Sequence, residues 1–368
     1  MERTMSSTAG WISQSRNGWS PQATCWRSLT TAVLLTAVCV LPVAGQDPPN
    51  SPAGGDSLLA PFFKDHSPLA ITLETDIREL SRDRTGEPEW QPATIRFADG
   101  DSLTARVRTR GIFRRRRCSL PPLKLDLPQN KAKATAFAGL NKPKLVTHCG
   151  TTERHEQYVV QEYLLYRVYE LLTPLSHRAR LVRVTYVDPR DRADSSSRYA
   201  IVLEEDEDVA ARTGLRVVEI TGAGPADLDS YQSALVGVFQ YLIGNTDWSA
   251  TGLHNVVLLQ SMLTTYPVAY DFDFSGAVDA TYATPDPRLG IRTVRERLYR
   301  GFCTTEDRWA EVFAHIRSQK EAIWALYREE PALDAGIRDR TLAYFDQVFR
   351  ILNDPAAANR EIVRKCRG

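Results

Sequence analysis

The feature that most constrains the fold is a change of hydrophobic pattern near residue 154. Before it, four segments alternate apolar and polar residues, as half-buried antiparallel strands do. These segments are 69–73, 93–97, 102–107 and 122–127. Residues 154–172 contain no Gly or Pro and are apolar on most sides in the second half, which predicts a long buried helix. Runs of strands followed by runs of helices are typical of α+β proteins.

The rest of the chain extends this division. Two further strands are expected at 179–186 and 198–203, joined by a polar hairpin loop over 188–197. From about residue 206 helices dominate, with two short strands embedded among them. The helices are expected at 231–243, 306–327 and 335–352, and the strands at 255–259 and 267–270. We therefore expect a strand-rich region with one long helix over 67–205 and a helical region with an embedded hairpin over 206–368.

The N-terminal residues have the pattern of an export signal. An uncharged segment, 28–46, follows three arginines, and small residues precede a cleavage point after Gly45. The alternative is a membrane anchor, which Pro42, Gly45 and the following Pro-rich stretch disfavour. We expect residues 1–45 to be a cleaved signal peptide and 46–66 a flexible leader, leaving an exported periplasmic or extracellular chain with no membrane contact.

Charge and cysteine content narrow the class of protein. The 46 Lys and Arg residues balance 45 Asp and Glu residues, so the basic excess of a nucleic-acid binder is missing. Beyond residue 45, four cysteines remain, and an oxidising compartment makes two disulfides plausible. These are Cys118, Cys149, Cys303 and Cys366. Four cysteines allow three pairings, between which the sequence does not choose. We favour Cys118–Cys149 and Cys303–Cys366.

The embedded hairpin carries the most specific chemistry. Asp247 lies in a loop after a helix, Asn255 opens the first short strand, and Asp271 and Asp273 follow the second. Hairpin pairing would place Asn255 beside Asp271, near Asp247. Oxygen ligands of this kind suit Mg²⁺, and a separate Asp can orient or deprotonate a hydroxyl nucleophile. The alternative is structural, with Asp247 in a turn cap and Asp271 at a strand end.

A second enzymatic interpretation rests on residues 271–275. Their Asp-Phe-Asp-Phe-Ser sequence fits the Asp-x-Asp-x-Thr/Ser pattern of haloacid-dehalogenase-type phosphatases. That fold needs its nucleophile strand early in a repeating parallel α/β sheet, whereas this motif follows an antiparallel-looking region. We therefore favour the metal-and-hydroxyl interpretation.

Phosphate chemistry also needs cations. Lys124 lies on a predicted strand upstream of the buried helix. A buried carboxylate such as Glu162 on that helix is stabilised by a cationic partner, so we expect a Lys124–Glu162 pair. Lys144 is the rival lysine. Arg110 belongs to an Arg-rich run, 106–117, which either contacts phosphates or is a solvated loop. Glu204 could accept from an adenine amine, although an acidic surface turn explains it equally well.

In this order the motifs resemble the CotH-like (spore coat protein H) family of atypical kinases over residues 100–280. The resemblance is carried by Arg-Thr-Arg-Gly at 108–111, Pro-Leu-Lys-Leu at 122–125, the helix with Glu162, Ile-Val-Leu-Glu-Glu at 201–205, Asn-Thr-Asp at 245–247, His-Asn at 254–255 and Tyr-Asp-Phe-Asp at 270–273. It implies a two-lobed protein-kinase-like fold, with an antiparallel strand-rich N-lobe and a mainly helical C-lobe. The chain departs from the kinase pattern in one respect, because it has no Gly-rich loop.

The resemblance also implies a function. Asp247 would be the catalytic aspartate, Asn255 and Asp271 (or Asp273) the ligands of Mg²⁺ or Mn²⁺, and Lys124 with Glu162 the nucleotide-binding pair. The expected reaction transfers the γ-phosphoryl group of ATP to a hydroxyl acceptor, in the first place a serine or threonine of a protein and otherwise a small molecule. Because the bacterial periplasm is poor in ATP, the alternative is a catalytically inactive kinase-fold module that binds an extracellular or envelope partner.

Overall fold

The computed structural model describes residues 58–84 and 86–368. Alternation of apolar and polar residues produces most of its strands, each with one face buried. The strands are β1 (Leu69–Glu74), β2 (Gln91–Phe97), β3 (Ser102–Thr109), β4 (Leu123–Asp126), β5 (Lys144–Val146), β6 (Ala179–Asp188), β7 (Asp191–Leu203), β8 (Arg216–Val218), β9 (Val256–Gln260) and β10 (Thr265–Ala269). The helices are α1 (Ile77–Arg82), α2 (Phe113–Arg117), α3 (Gln129–Ala132), α4 (Glu153–Leu172), α5 (Asp206–Thr213), α6 (Ser230–Ile243), α7 (Glu306–Ser318), α8 (Lys320–Glu329), α9 (Ala335–Asn353) and α10 (Pro355–Glu361).

Seven strands close a barrel in the order β1-β2-β3-β4-β5-β7-β6. All neighbours are antiparallel except β1 and β6, which run parallel with Leu69 opposite Val182 and Glu74 opposite Val187. This parallel pair joins the first and sixth strands and leaves the barrel without free edges. The interior is a core of its own, filled by inward residues such as Ile95, Val107 and Val202.

The closed barrel overturns the expected two-lobed protein-kinase-like fold. That prediction was wrong because it treated the early strands as the open sheet of a separate N-lobe, whereas their long-range pairing closes them on themselves. The described residues fall within one compact unit rather than two lobes. The second sheet, β10-β9-β8, is a small antiparallel sheet among the helices.

The long helix α4 connects the barrel to the helical part. Most of it is buried, because it packs against β6 and β7 on one side and against α6 and α8 on the other. Leu181 and Ile201 point out of the barrel and join α4 in a second core, which continues through the C-terminal helices. The second half of α4 is mostly apolar because both sides of the helix are covered, and its two charged residues, Arg167 and Glu170, pair with each other at 3.0 Å.

Two local predictions differ from the structure. The polar segment expected as a loop over 188–197 is mostly strand, since β6 reaches Asp188 and β7 starts at Asp191. The helix expected over 306–327 is two helices, α7 and α8, which meet at Gln319. In the expected leader, Pro61–Lys64 form a short 3-10 helix with Phe62 buried.

Both favoured disulfides are present. Cys118, directly after α2, bonds to Cys149, and Cys303 bonds to Cys366. Two such bonds are consistent with an oxidising, exported environment. The predicted signal peptide, 1–45, lies outside the described residues. Within the described part of the chain, none of the helices combines the length and the hydropathy that crossing a membrane requires.

Candidate functional site

The hairpin of β9 and β10 brings Asn255 and Asp271 together, as its sequence pattern predicts. Val256 lies opposite Ala269, and at the open end the backbone N–H of Tyr270 donates to Asn255 O at 3.1 Å. Asn255 and Asp271 both adopt left-handed backbone conformations, with φ of 52° and 61°. Asn and Asp tolerate this region better than most residues, and such strain concentrates at functional sites.

Asp247 is held beside this hairpin by its own side chain. Its Oδ2 accepts from Asn255 Nδ2 at 3.2 Å, while the same amide donates to Asp247 O at 2.7 Å. Its Oδ1 lies 2.8 Å from His254 Nε2. This hydrogen bond raises the pKa of His254 above its usual value. Asp247 therefore has a defined orientation, although its side chain is 41% exposed.

His254 was not a predicted site residue, because a lone histidine on a hairpin is more often structural. The signal that could have found it is its position next to Asn255, at the strand end that faces Asp247.

One cavity of about 500 Å³ collects most of the predicted residues. Its polar lining includes Asp247, Asn255, Asp271, Asp273 and Arg110. In the described part of the chain the Arg110 guanidinium has no carboxylate within 4.0 Å, so its charge is available to an anion. The cavity thus combines acidic oxygens with an arginine that has no ion pair among the described residues.

A buried ion cluster forms the floor beneath this cavity. Arg114, on α2, places Nη1 3.2 Å from Glu162 Oε2, Nη2 2.5 Å from Asp271 Oδ1 and Nε 3.4 Å from Asp273 Oδ2. Three carboxylates therefore surround one guanidinium. Glu162 Oε1, which is also buried, has no hydrogen-bond partner among the described residues. The cluster carries more negative charge than Arg114 alone balances.

Burial is the main influence on the protonation equilibria of this cluster. Burial raises the pKa of Glu162 well above its usual value, and the charge of Arg114 opposes the rise only in part. Burial likewise raises the pKa of Asp273, against the same arginine. Burial alone would lower the pKa of Arg114, but Asp273, Glu162 and Asp271 raise it well above normal, so the guanidinium stays charged.

Helix α4 supports the cluster from below. Tyr166, one turn after Glu162, accepts the backbone N–H of Asp271 at 2.9 Å. Burial raises the pKa of Tyr166, so its hydroxyl remains protonated. Beside the cavity, Phe113 packs edge-on against Phe274 with ring centroids 5.1 Å apart. The same helix that covers the barrel therefore positions Glu162 and Asp271.

The predicted Lys124–Glu162 pair does not form. Lys124 Nζ lies 3.0 Å from Glu205 Oε2, and Glu162 pairs with Arg114 instead. Arg114 was not predicted because it is one of several arginines in 106–117, and the local sequence does not indicate which of their side chains points inward. The sequence contained part of the information, because a buried Glu162 needs a cationic partner and this run holds the largest group of cations.

The other predicted nucleotide contacts lie elsewhere. Lys144 Nζ is 2.7 Å from Asp206 Oδ1, which His177 Nε2 also contacts at 2.7 Å. Glu204 is buried and held by the guanidinium of Arg212 through two hydrogen bonds of 3.0 Å. Glu204 is thus part of a buried ion pair rather than of a surface turn.

Asp271, Asp273 and Asn255 offer oxygen atoms of the kind that bind divalent cations. Mg²⁺ in such sites uses one or two carboxylates and takes its remaining ligands from phosphate and water. Asp271, Asp273 and the amide oxygen of Asn255 are donors of this type, and the unbalanced negative charge favours a cation. Among the described residues, no three His, Cys, Asp or Glu side chains form a metal cage of their own.

The topology excludes the phosphatase interpretation of residues 271–275. Their preceding strand, β10, pairs antiparallel with β9 in a three-stranded antiparallel sheet, whereas that fold requires a parallel one. The one parallel contact of β10 among the described residues is an isolated bridge between Thr265 and Leu228. In comparisons with known proteins, no family model matches the chain, and no curated protein matches it.

Proposed function

We propose that this chain is a metal-dependent phosphotransferase that transfers the γ-phosphoryl group of ATP to a hydroxyl acceptor, the activity that the resemblance to CotH-like kinases implies. The observation that carries the proposal is the convergence of Asp247, Asn255 and Asp271 on one cavity. The closed barrel does not alter this, because function depends on the local site rather than on the fold around it.

The residues take distinct roles in this reaction. Asn255 and Asp271, with Asp273 as the alternative, would hold Mg²⁺ or Mn²⁺, which supplies charge neutralisation at the transferring phosphates. Arg110 would contact the phosphate oxygens from the opposite wall. Asp247 accepts the proton of the acceptor hydroxyl as its oxygen bonds to the γ-phosphorus, and the bond from that phosphorus to the bridging oxygen of ADP breaks.

Phosphoryl transfer from radiolabelled ATP tests the proposal in the purified, oxidised protein with Mg²⁺ or Mn²⁺. Asp247→Asn should lower transfer by about 10²–10⁴-fold, the usual contribution of a positioned general base. Asp339→Asn is the matched control, since Asp339 is 69% exposed and pairs with its neighbour Arg338. Equal label incorporation in wild type and Asp247→Asn would refute the role of Asp247.

One contact favours a second candidate function, a binding module without catalysis. Arg114 Nη2 already contacts Asp271 Oδ1 at 2.5 Å, so an internal cation occupies one oxygen of the proposed metal ligand. If that contact persists with nucleotide present, the cluster serves stability and the cavity binds a partner. Calorimetric titration of Mg-ATP distinguishes the two, because the module predicts no nucleotide binding.

A further inference from the structure

A second cavity, of about 410 Å³, lies on the other side of Asp247. Asp247, His254 and Phe274 line both cavities, so the carboxylate stands between them. The second cavity adds Arg300 and, on its rim, Asp286 and Arg288. If the first cavity holds the nucleotide, the second is the space from which an acceptor hydroxyl reaches Asp247.

Arg300 is the half-buried cation of this second cavity. Its Nη1 donates to the backbone oxygen of Thr246, the residue that precedes Asp247, so the guanidinium lies close to Asp247. In the described part of the protein no carboxylate lies within 4.0 Å of it. A guanidinium has five N–H donors, and most of those of Arg300 therefore face the cavity or solvent. A partly desolvated charge in this position is stabilised by an anion.

The acidic groups nearby do not form an ion pair with Arg300, because each is held by other partners. Asp286 accepts from the Nε and Nη2 of Arg288 and from its backbone N–H, so its charge is already balanced. Asp247 is held by His254 and Asn255. Among the described residues Arg300 is thus the cation of this cavity that has no ion pair, and Asp247 and Asp286 act on its charge only from a longer distance.

The backbone around Arg300 is fixed rather than free. The N–H of Arg367 donates to Gly301 O at 3.0 Å, and the N–H of Cys303 donates to Arg367 O at 2.8 Å. The disulfide between Cys303 and Cys366 closes the same contact. A cation anchored in this way can select a ligand at little entropic cost.

We propose that the second cavity is the acceptor site and that Arg300 selects a serine or threonine hydroxyl flanked by a carboxylate, as in an acidic peptide. This inference rests on the proposed function. An arginine binds a carboxylate through two parallel hydrogen bonds, which fixes the position of the acceptor as well as its charge. Thr284 and Arg288 on the rim are exposed, so a side chain can enter the cavity while its main chain stays outside.

Three synthetic peptides that differ only beside one serine test the inference. The serine is flanked by Glu, Gln or Lys, and each peptide is measured for binding by fluorescence anisotropy without nucleotide and for phosphoryl transfer with Mg-ATP. Wild type should bind and use the Glu peptide about tenfold better than the Gln peptide, the effect of one charge-assisted hydrogen-bond pair. Arg300→Gln should remove the preference, and Arg300→Glu should transfer it to the Lys peptide.

Two further variants control for folding and for general charge. Arg300→Lys keeps the charge and should retain part of the preference for Glu over Gln. Arg292→Gln removes a cation that is 91% exposed and pairs with Glu296, and it should change nothing. Urea unfolding of each variant shows whether a lost preference reflects a lost fold.

The outcomes separate this inference from the function on which it rests. Transfer that does not distinguish the Glu and Gln peptides would keep the phosphotransferase and overturn the acidic-acceptor site. An Arg300-dependent preference in binding without any transfer would keep the acidic-peptide site and reject the phosphotransferase. Equal binding of all three peptides by wild type would overturn the inference whatever the activity.

Discussion

Arg114 Nη1 and Glu162 Oε2 lie 3.2 Å apart, and their side chains are 8% and 1% exposed. The pair joins a short helix that follows β3 to the long helix that packs on the barrel, across 48 residues of sequence. Because Arg114 also contacts Asp271, one guanidinium connects three parts of the chain. The candidate site therefore depends on a single buried cation.

Replacing that cation should cost stability. Arg114→Met leaves Glu162 and Asp273 buried without their partner, and we expect a loss of about 3–5 kcal/mol in the free energy of unfolding. Urea denaturation followed by circular dichroism measures it. Arg116→Met is the matched control on the same helix, where the side chain is exposed, and it should stay within about 0.5 kcal/mol of wild type. Similar losses in the two variants would contradict the account of the cluster.

The raised carboxylate pKa values predict a pH dependence of stability. Between the unfolded pKa of Glu162, near 4.5, and its folded pKa of about 8, the folded state holds more protons than the unfolded state. The contribution of Glu162 is therefore fully present below pH 4.5 and is lost as the pH rises toward 8, by at most about 1.4 kcal/mol per pH unit. Glu162→Gln should flatten the decline in urea denaturation series, whereas Glu153→Gln, exposed on the same helix, should not. An unchanged slope in Glu162→Gln would refute the assignment.

The strands could be located from sequence where the alternation is local. Residues 69–73 and 93–97 were predicted within two residues of the ends of β1 and β2. Barrel closure could not be predicted, because the parallel pairing of β1 with β6 joins residues more than a hundred positions apart and leaves no local signal. The start of β7 was missed because Asp191 to Ser197 are polar on both faces.

The candidate site shows the same difference between local and long-range predictions. Asn255 and Asp271 were predicted to meet because a hairpin pairs residues at short range. The actual partners of Glu162 and Lys124 were not predicted, because several groups of opposite charge were available to each and only tertiary packing selects among them.

His254 should shape the pH dependence of transfer. Its hydrogen bond with Asp247 raises its pKa, so at low pH the imidazolium neutralises the carboxylate that must accept a proton. Activity should rise as the pH passes through this pKa, and His254→Gln should move the acid limb of kcat/KM to lower pH, by about one unit. His66→Gln, at an exposed histidine, serves as the control. An unmoved acid limb in His254→Gln would show that another group titrates there.

Replacing Gly276 by a larger residue should destabilise the folded protein, because there is no room for a side chain at this position. A Cβ there would lie 2.5 Å from the backbone oxygen of Val294 and clash with the hydroxyl of Tyr344. Gly276→Ala should therefore destabilise the protein by about 1–3 kcal/mol, the usual cost of overpacking. Gly224→Ala, whose Cβ would meet only Asp227 Oδ2 at 3.8 Å, should be nearly neutral. Comparison of their urea midpoints checks this, and equal midpoints would contradict it.

The Cys303–Cys366 disulfide imposes an order of events on a newly made chain. Its two cysteines are 63 residues apart, and the bond cannot close until synthesis has passed residue 366. Cys118–Cys149 spans only 31 residues and can close much earlier. The bond next to Arg114 can therefore form before the one next to Arg300, and the proposed acceptor side is fixed only when the last residues of the chain have been made. The residues of the Arg114 cluster, which extend only to Asp273, are all available to one another before that point.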